Sequence, residues 1–472
     1  MRDDDAGLQR EQAQFLLSSL DEDLSLESGQ QEQTEPRTRS TSFLDGLRGI
    51  ASFWVYMAHH IPWMYGSPAK LEYGFGYHKE YLLGQLPFIR TFFSGGNPAV
   101  AIFFVLSGYV LSISSLRLLR KNERSTVYRH LASALVRRPF RLFIPVAGVS
   151  LVFAFIMQFP DAVRPHLAWP VPQGNLPLEL WSWVVEFCKL MDPFRSHGVY
   201  TAWFPYDPPA YTTAIEWQGS FFVYLSLAAC STTTPLVRML LLAATGLLLL
   251  FTYQWSLACF AGGMVLALND LEGYDDTVMR LLSGRSKLVL YHTIFFTGWY
   301  LAGQPSNTKD AERSYASPGW YYLTQMIPSV YYYHEYWRFY NCIGAFMMVF
   351  AISRVSWMQN LLNKPLFQYL GRVSFSLYLV HVPLLWTASD RVYRLFGRIC
   401  EEDMTTWWDN RFPIPDVGPT GISTRFLAVQ AVSLPMTLLL AELSTRYLDE
   451  PGMRFSKWLV GKMKTTLGSY SK

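Results

Sequence analysis

Long apolar runs, separated by shorter polar stretches, occupy most of the chain after residue 40. The clearest runs cover residues 98–116, 142–159, 236–251, 255–268, 366–387 and 427–443. Most of them are close to the length that a helix needs to cross a hydrocarbon core. With weaker runs included, we count ten segments, near 44–65, 98–116, 142–159, 211–229, 236–252, 254–269, 287–302, 338–353, 366–388 and 424–445. Charged residues make up only 16% of the chain, against about 25% in soluble proteins. The pattern predicts an all-α, polytopic transmembrane bundle of about ten helices.

The distribution of basic residues indicates which loops face the cytosol. Lysine and arginine cluster in residues 117–141, between the second and third segments, and again in residues 446–472. Loops rich in these residues stay on the cytosolic side, and ten crossings put both termini there as well. The longer connections then lie on the non-cytosolic side, at residues 66–97, 161–210, 303–337 and 389–423.

Three regions follow from this organisation. Residues 1–40 are polar and acidic and are predicted to form a disordered cytosolic tail. Residues 41–455 form the transmembrane domain, and residues 456–472 form a basic cytosolic tail. Pro451 predicts that the last helix ends beside it, because proline cannot continue an interior helical hydrogen-bond pattern.

The five cysteines show no spacing typical of a metal site. Cys188 and Cys400 both fall in predicted non-cytosolic loops. A disulfide can form in that compartment, and two unpaired thiols are equally compatible with the sequence.

The first segment contains two ionisable residues, Arg48 and His59, eleven positions apart. On a helix this spacing is three turns plus about 20°, so both residues lie on one face, separated by about 16 Å along the axis. An ionisable group at that depth in a membrane is a candidate functional residue, because keeping it there costs free energy. His60 competes for the same role, but it is rotated by about 100° around the helix.

Polar residues in the next segments are weaker candidates, and each also has a structural interpretation. Ser107, beside Gly108, either hydrogen-bonds across helices or only permits close packing. Arg138 and Arg141 project together and suit phosphate recognition, although positive charge on the cytosolic side also explains them. Glu216 either orients a hydroxyl substrate or a histidine, or pairs with a basic residue of another helix.

The ninth segment carries a polar stripe. Ser374, Tyr378 and His381 follow the i, i+4, i+7 spacing of one helix face. The stripe predicts a polar seam between helices, in which His381 is a satisfied buried residue or a supporting member of the site.

Four motifs, in their order along the chain, resemble those of the membrane acyltransferase-3 family of O-acyltransferases, in its fungal branch. The Leu44–Ala51 stretch with His59 is similar to the family's Arg-x10-His signature. The other three motifs are Phe103–Tyr109, Arg137–Arg141 with the following leucine, and Ser374–His381. The resemblance covers residues from about 41 to 455.

The resemblance implies about ten family helices and acyl transfer from acyl-CoA to a hydroxyl group. It implies that His59 is catalytic and that Arg138 and Arg141 handle the acyl donor. We expect Arg48, on the same helix face as His59, to complete the catalytic site by orienting a donor phosphate or a carboxylate such as Asp45. Glu216 occupies the position of a family glutamate, but Ile-Glu-Trp-Gln departs from the commoner Val-Glu-Glu-Gln, which leaves its role open. The residues expected to support the site are Ser107, Glu216, Ser374, Tyr378 and His381.

We therefore expect an integral-membrane O-acyltransferase with acyl-CoA, in particular acetyl-CoA, as co-substrate and with no bound cofactor, metal or nucleic acid. The expected acceptor is a small molecule with a hydroxyl group, such as a secondary metabolite, with a carbohydrate or a lipid as the alternative. Transfer is either direct or through an acyl intermediate on His59 or Ser107. The expected location is the endoplasmic reticulum or another endomembrane, or the plasma membrane. A multi-pass transporter is the rival class, but it predicts acidic residues along several helices.

Overall fold

The computed structural model describes residues 41–66, 70–159, 171–194, 203–306, 311–332, 334–399 and 403–470. The predicted tail at residues 1–40 and Cys400 lie outside the described residues, and Cys188 is a free thiol. Every regular element in the described ranges is helical, which confirms the predicted all-α class.

The longer helices give the order of the fold. They are α1 (Ser42–Tyr65), α2 (Gly96–Arg120), α3 (Arg124–Ile156), α4 (Leu176–Met191), α5 (Tyr211–Ala229), α6 (Pro235–Phe251), α7 (Trp255–Glu272), α8 (Gly284–Ala302), α9 (Arg338–Ile352), α10 (Ser356–Leu362), α11 (Pro365–Leu384), α12 (Thr424–Ser444) and α13 (Glu450–Tyr470). Short helical turns of three to six residues occur between them, at Lys70–Glu72, Tyr77–Lys79, Leu83–Gln85, Thr91–Ser94, Pro208–Ala210, Tyr274–Met279, Glu312–Tyr315, Tyr321–Gln325, Ser329–Tyr331 and Asp390–Leu395.

Several of these helices are suited to a membrane. By length and composition, α2, α3 and the stretch Thr424–Met463 could each cross a bilayer. Helices α9 and α10 could form a fourth crossing together, although they bend by 98° at the break between them. Each predicted hydrophobic segment also coincides with one of the longer helices.

Glycines bring the central helices into backbone contact. A Cβ atom at Gly108 on α2 would lie 2.1 Å from the carbonyl oxygen of Phe260 on α7, so any larger residue would force the helices apart. A Cβ atom at Gly371 on α11 would lie 2.3 Å from the carbonyl oxygen of Asp45 on α1. Small residues at such crossings permit close helix packing, as the sequence around Ser107 indicated. The contact at Gly371 brings the polar stripe of α11 beside α1.

In the described ranges, two π-helical turns interrupt the regular hydrogen bonding, and each lies two residues from a proline. In Leu385–Ser389, after Pro383, the N–H of Asp390 donates to the carbonyl oxygen of Leu385, five residues earlier. The second turn, Thr445–Asp449, joins α12 to α13 just before Pro451. The expectation that the last helix ends at Pro451 is therefore wrong. The wider π-helical turn accommodates a proline that cannot donate a backbone hydrogen bond, and the chain stays helical.

Helix α13 continues along α3 in the antiparallel direction. The rings of Phe140 and Phe455 meet edge to face with centroids 5.6 Å apart. One turn further, a Cβ atom at Gly452 would lie 3.3 Å from Ile144. The predicted domain boundary at residue 455 falls inside this helix.

A buried ion pair links the short helix Asp390–Leu395 to the segment before α12. Arg394 donates from Nε and Nη2 to the two carboxylate oxygens of Asp409, at 2.8 and 2.6 Å. The backbone N–H groups of Thr405 and Thr406 donate to the same carboxylate, each at 3.0 Å. Burial alone would raise the pKa of Asp409, but these hydrogen bonds outweigh it and hold the pKa well below its usual value.

Candidate active site

A cavity of about 870 Å³ lies between α1, α11 and the segments that the sequence assigns to the non-cytosolic side. Its wall includes His59 and Tyr378, together with Tyr211 and residues of the segment before α9. The volume is within the range of about 300–1,000 Å³ that is typical of small-molecule sites. The predicted catalytic histidine therefore faces a space that can hold a ligand.

His59 is exposed, and its hydrogen bonding fixes its tautomer. Its Nδ1 lies 2.9 Å from the carbonyl oxygen of Val55, one turn earlier on α1. A carbonyl oxygen only accepts, so Nδ1 carries the proton in the neutral ring. Nε2 then keeps its lone pair, as a general base requires.

His381 supports this ring from α11. It is buried, and its Nε2 lies 3.3 Å from Nδ1 of His59. The two rings meet edge to face with centroids 4.8 Å apart. Because Nδ1 of His59 is the donor, Nε2 of His381 is a second acceptor for the same proton.

Of the other two residues in the α11 stripe, Tyr378 lines the cavity and Ser374 lies among the helix contacts. Tyr378 lines the cavity, donates to the carbonyl oxygen of Pro209 at 3.1 Å and accepts from the hydroxyl of Thr212 at 3.0 Å. Ser374 is buried one turn earlier and is not among the described residues that line the cavity. The predicted seam is thus present, with Tyr378 and His381 at the site.

His60 belongs to a separate polar cluster. It is fully buried, and its Nδ1 lies 3.0 Å from the hydroxyl of Tyr393 and 3.2 Å from the amide nitrogen of Gln430. Tyr56 donates to the amide oxygen of the same glutamine at 2.7 Å. His60 therefore ties α1 to the segment after α11 and to α12, and does not face the cavity with His59.

Three predicted site residues meet in a buried cluster between α2, α3 and α5. Arg138 donates from Nη2 to Glu216 at 2.8 Å and from Nε to the hydroxyl of Ser220 at 2.9 Å. Ser107 donates to the other carboxylate oxygen of Glu216 at 2.6 Å. Of the two interpretations of Glu216, the structure shows the pairing with a basic residue of another helix.

The remaining arginines lie near the other end of the bundle. Arg48 on the second turn of α1 is half-buried, with Nη1 3.8 Å from Asp45. Arg141 is exposed on α3. Among the residues that the structure describes, the cavity wall includes His59 but none of Arg48, Arg138 and Arg141.

Sequence reasoning missed an ion pair that does lie in the cavity wall. Arg338, at the start of α9, donates from Nη2 to Glu335 at 2.9 Å, and the same nitrogen lies 3.4 Å from the hydroxyl of Tyr211. Its guanidinium carbon lies 4.3 Å from the centre of the Trp255 ring, a cation–π contact. The available signal was the i, i+3 spacing of an acidic and a basic residue at the start of an apolar segment.

Asp207, before α5, was also missed. Its side chain is fully buried, and neither carboxylate oxygen has a partner among the described residues. Burial raises the pKa of this carboxyl well above its usual value and thereby favours its protonated form.

Metal ligation has no candidate cluster here. In the described part of the chain, no group of three or more His, Cys, Asp or Glu side chains could hold a metal ion.

Comparison with known proteins gives the family. An O-acetyltransferase of Phomopsis amygdali, PaAT-1, is 29% identical over 465 residues, covering 90% of this chain and 86% of the relative. Acyltransferase R4 of a Phoma species is 25% identical, with 73% and 83% of the two chains covered, and acyltransferase clz18 of Cochliobolus lunatus is 21% identical, with 73% and 82% covered. No solved structure matches significantly. The profile of the acyltransferase-3 family, described as an acyltransferase domain, matches residues 41–439, and the chain therefore belongs to this family.

Proposed function

We propose that this protein is an integral-membrane O-acyltransferase that moves an acyl group, in particular acetyl, from acyl-CoA to a hydroxyl group of a small molecule. The observation that carries the proposal is the arrangement of His59, whose Nδ1 proton is held by Val55 while the residue lines a ligand-sized cavity. The name of the Phomopsis relative, an O-acetyltransferase, supports acetyl as the group. A secondary metabolite is the proposed acceptor, and a carbohydrate or lipid is the alternative.

In the proposed reaction, Nε2 of His59 takes the proton of the acceptor hydroxyl. The hydroxyl oxygen bonds to the thioester carbonyl carbon, and the carbon–sulfur bond breaks. The imidazolium then returns the proton to the departing thiolate, which leaves as CoA. General-base assistance of this kind contributes about 10²–10⁴-fold to the rate. Direct transfer is favoured over an acyl intermediate on Ser107, since that hydroxyl donates to Glu216 in the buried cluster.

The donor is proposed to enter from the cytosol, at the arginine-rich end of α1 and α3. Arg141 is exposed and can meet the phosphates of CoA. Arg138 is occupied by Glu216 and Ser220, so its contribution to donor binding is proposed to be the positioning of α3. Ten membrane crossings with both termini cytosolic, in an endomembrane or the plasma membrane, complete the proposal.

The test is metabolite profiling of a strain that lacks the protein, beside a strain carrying His59→Ala. One compound, lighter by an acetyl group than the normal product, should accumulate in both strains. The purified protein should acetylate that compound with release of CoA from acetyl-CoA. Failure of any metabolite to change, with no acceptor-dependent release of CoA, would refute the proposed activity.

A further inference from the structure

The guanidinium of Arg338 is almost completely buried, with 1% of the residue exposed. Its Nη2 is occupied by Glu335 and Tyr211. Its Nε and Nη1 are also buried, and neither has a hydrogen-bond acceptor among the described residues. A buried charged donor without an acceptor costs free energy, which a partner supplied by a bound molecule would recover.

The location of Arg338 indicates what that partner is. Arg338 and Glu335 line the same cavity as His59. A group bound in the cavity can therefore lie against both the proposed base and the side chain of Arg338. An ion pair with a purely structural role would not need to line a cavity that is large enough for a ligand.

Two further polar residues, Tyr378 of α11 and Tyr211 of α5, line the same cavity. Nε2 of His381 lies 3.3 Å from His59, and the ring of Tyr378 lies 5.7 Å from that of His381 on the same helix. The hydroxyl of Tyr378 accepts from Thr212, and Tyr211, the preceding residue, reaches Arg338. A ligand whose hydroxyl group is at His59 can thus extend past Tyr378 and Tyr211 to Arg338, since all four residues line one cavity.

The charge of the site determines the chemical class of the group that binds there. Glu335 already neutralises Arg338, so a second carboxylate would add an uncompensated negative charge in a buried place, which is costly. A neutral oxygen can accept from Nε and Nη1 without that cost. Trp337 and Trp203, which also line the cavity, offer apolar surface to the rest of the molecule.

We propose that Arg338, held by Glu335, is the acceptor-binding subsite: it hydrogen-bonds a neutral oxygen of the acceptor, a carbonyl, ether or second hydroxyl, remote from the hydroxyl that is acylated. The inference rests on the proposed function, because it assumes that the cavity holds the acyl acceptor. It adds the acceptor's second recognition point and the residue that makes it.

The experiment uses the full-length protein and two probes, the unacylated compound purified from the deletion strain and its synthetic analogues that each lack one remote oxygen. The double variant Arg338→Gln/Glu335→Gln removes the guanidinium without leaving its carboxylate partner charged and unpaired. A hydrogen bond to a charged group contributes about 1.5–3 kcal/mol, so KM for the compound should rise about 10- to 100-fold. KM for acetyl-CoA should stay unchanged.

A matched control is Arg354→Gln. Arg354 is a buried arginine just beyond the other end of α9, paired with Asp270 at 2.6 Å and with Asp275 at 2.8 Å. This variant should lower thermal stability without raising KM for the compound.

The analogues give a test that does not depend on a folded variant. On the unaltered protein, one analogue should show a 10- to 100-fold higher KM, and in the double variant that penalty should disappear. Normal KM values for every analogue on the unaltered protein would overturn the inference while leaving the acyltransferase activity intact. An unchanged KM in a folded double variant would overturn it as well. Absence of any acyl transfer by the unaltered protein would instead refute the proposed function itself.

Discussion

Nε2 of His381 lies 3.3 Å from Nδ1 of His59, and the two imidazole rings meet edge to face. Together with the carbonyl oxygen of Val55, this contact gives the Nδ1 proton two acceptors and holds the ring of His59 in one orientation. The two histidines come from helices that are far apart in sequence, and the glycine contact between α1 and α11 brings them together.

Replacing His59 by alanine should lower the turnover number by about 10²–10⁴-fold, because the proposed general base is lost. The thermal denaturation midpoint in detergent should change little, since the ring is exposed to the cavity. The measurement is the steady-state rate of acetyl-CoA consumption with the identified acceptor. His60→Ala is the matched control: it removes a buried hydrogen-bonded ring and should lower stability by about 1–3 kcal/mol, with activity retained below the unfolding range. Turnover in His59→Ala close to that of the unaltered protein would exclude this residue as the base.

His381→Leu should lower kcat by about 10- to 100-fold with little change in KM for either substrate. The leucine cannot accept the Nδ1 proton, so the base loses part of its orientation, and misplacement on the scale of 1 Å costs rates of this order. His381→Gln keeps an acceptor and should recover part of the loss. Equal losses in both variants would contradict a positioning role and indicate a packing defect instead.

The ion pair between Arg138 and Glu216 should contribute to folding. Both side chains are largely buried, with 9% and 16% of their surface exposed. Glu216→Ala should lower the free energy of unfolding by about 3–5 kcal/mol, since it leaves a buried cation without its carboxylate. The double variant Arg138→Met/Glu216→Leu should be more stable than Glu216→Ala, as measured by thermal denaturation in detergent. A double variant whose two losses simply add would show that the pair is not coupled.

The Arg394–Asp409 pair should make stability depend on pH in the acidic range. The pKa of Asp409 is lower in the folded protein than its usual value, so its contribution is complete above pH 5 and is lost as pH falls through about 4 and below. Thermal denaturation midpoints of the unaltered protein should therefore show no loss from this pair between pH 7 and pH 5, and should fall as the pH is lowered from 5 to about 2.5. Asp409→Asn should be less stable at pH 7, by about 3–5 kcal/mol, and should show a smaller decline on acidification. An equal decline in both proteins would assign the acid sensitivity to other groups.

The sequence predicted the parts of the fold that depend on helical periodicity. The apolar runs coincide with helices, and the spacing of Tyr378 and His381 correctly indicated one polar helix face. The one-residue rotation between His59 and His60 also separated a cavity residue from a buried one. These features depend on residues close together in the chain, where geometry follows directly from spacing.

The sequence did not reveal the contacts between residues that are far apart along the chain. The Arg338–Glu335 pair is local, but its presence in the same cavity as His59 depends on segments more than 270 positions away in sequence. Likewise, the spacing of Arg138 and Arg141 could not show that Arg138 is occupied by a carboxylate of α5. Pairing across helices requires knowledge of which faces meet, and a single sequence does not contain it.

Adjacent histidines on one helix make the site sensitive to helical phase. Deleting a single residue between Arg48 and His59 would turn the following part of α1 by about 100° and bring His60 to the angular position that His59 now holds. The cavity would keep an imidazole, but Tyr393 and Gln430 would lose theirs. The number of residues between Arg48 and His59 is thus fixed, even where the apolar side chains between them can be exchanged.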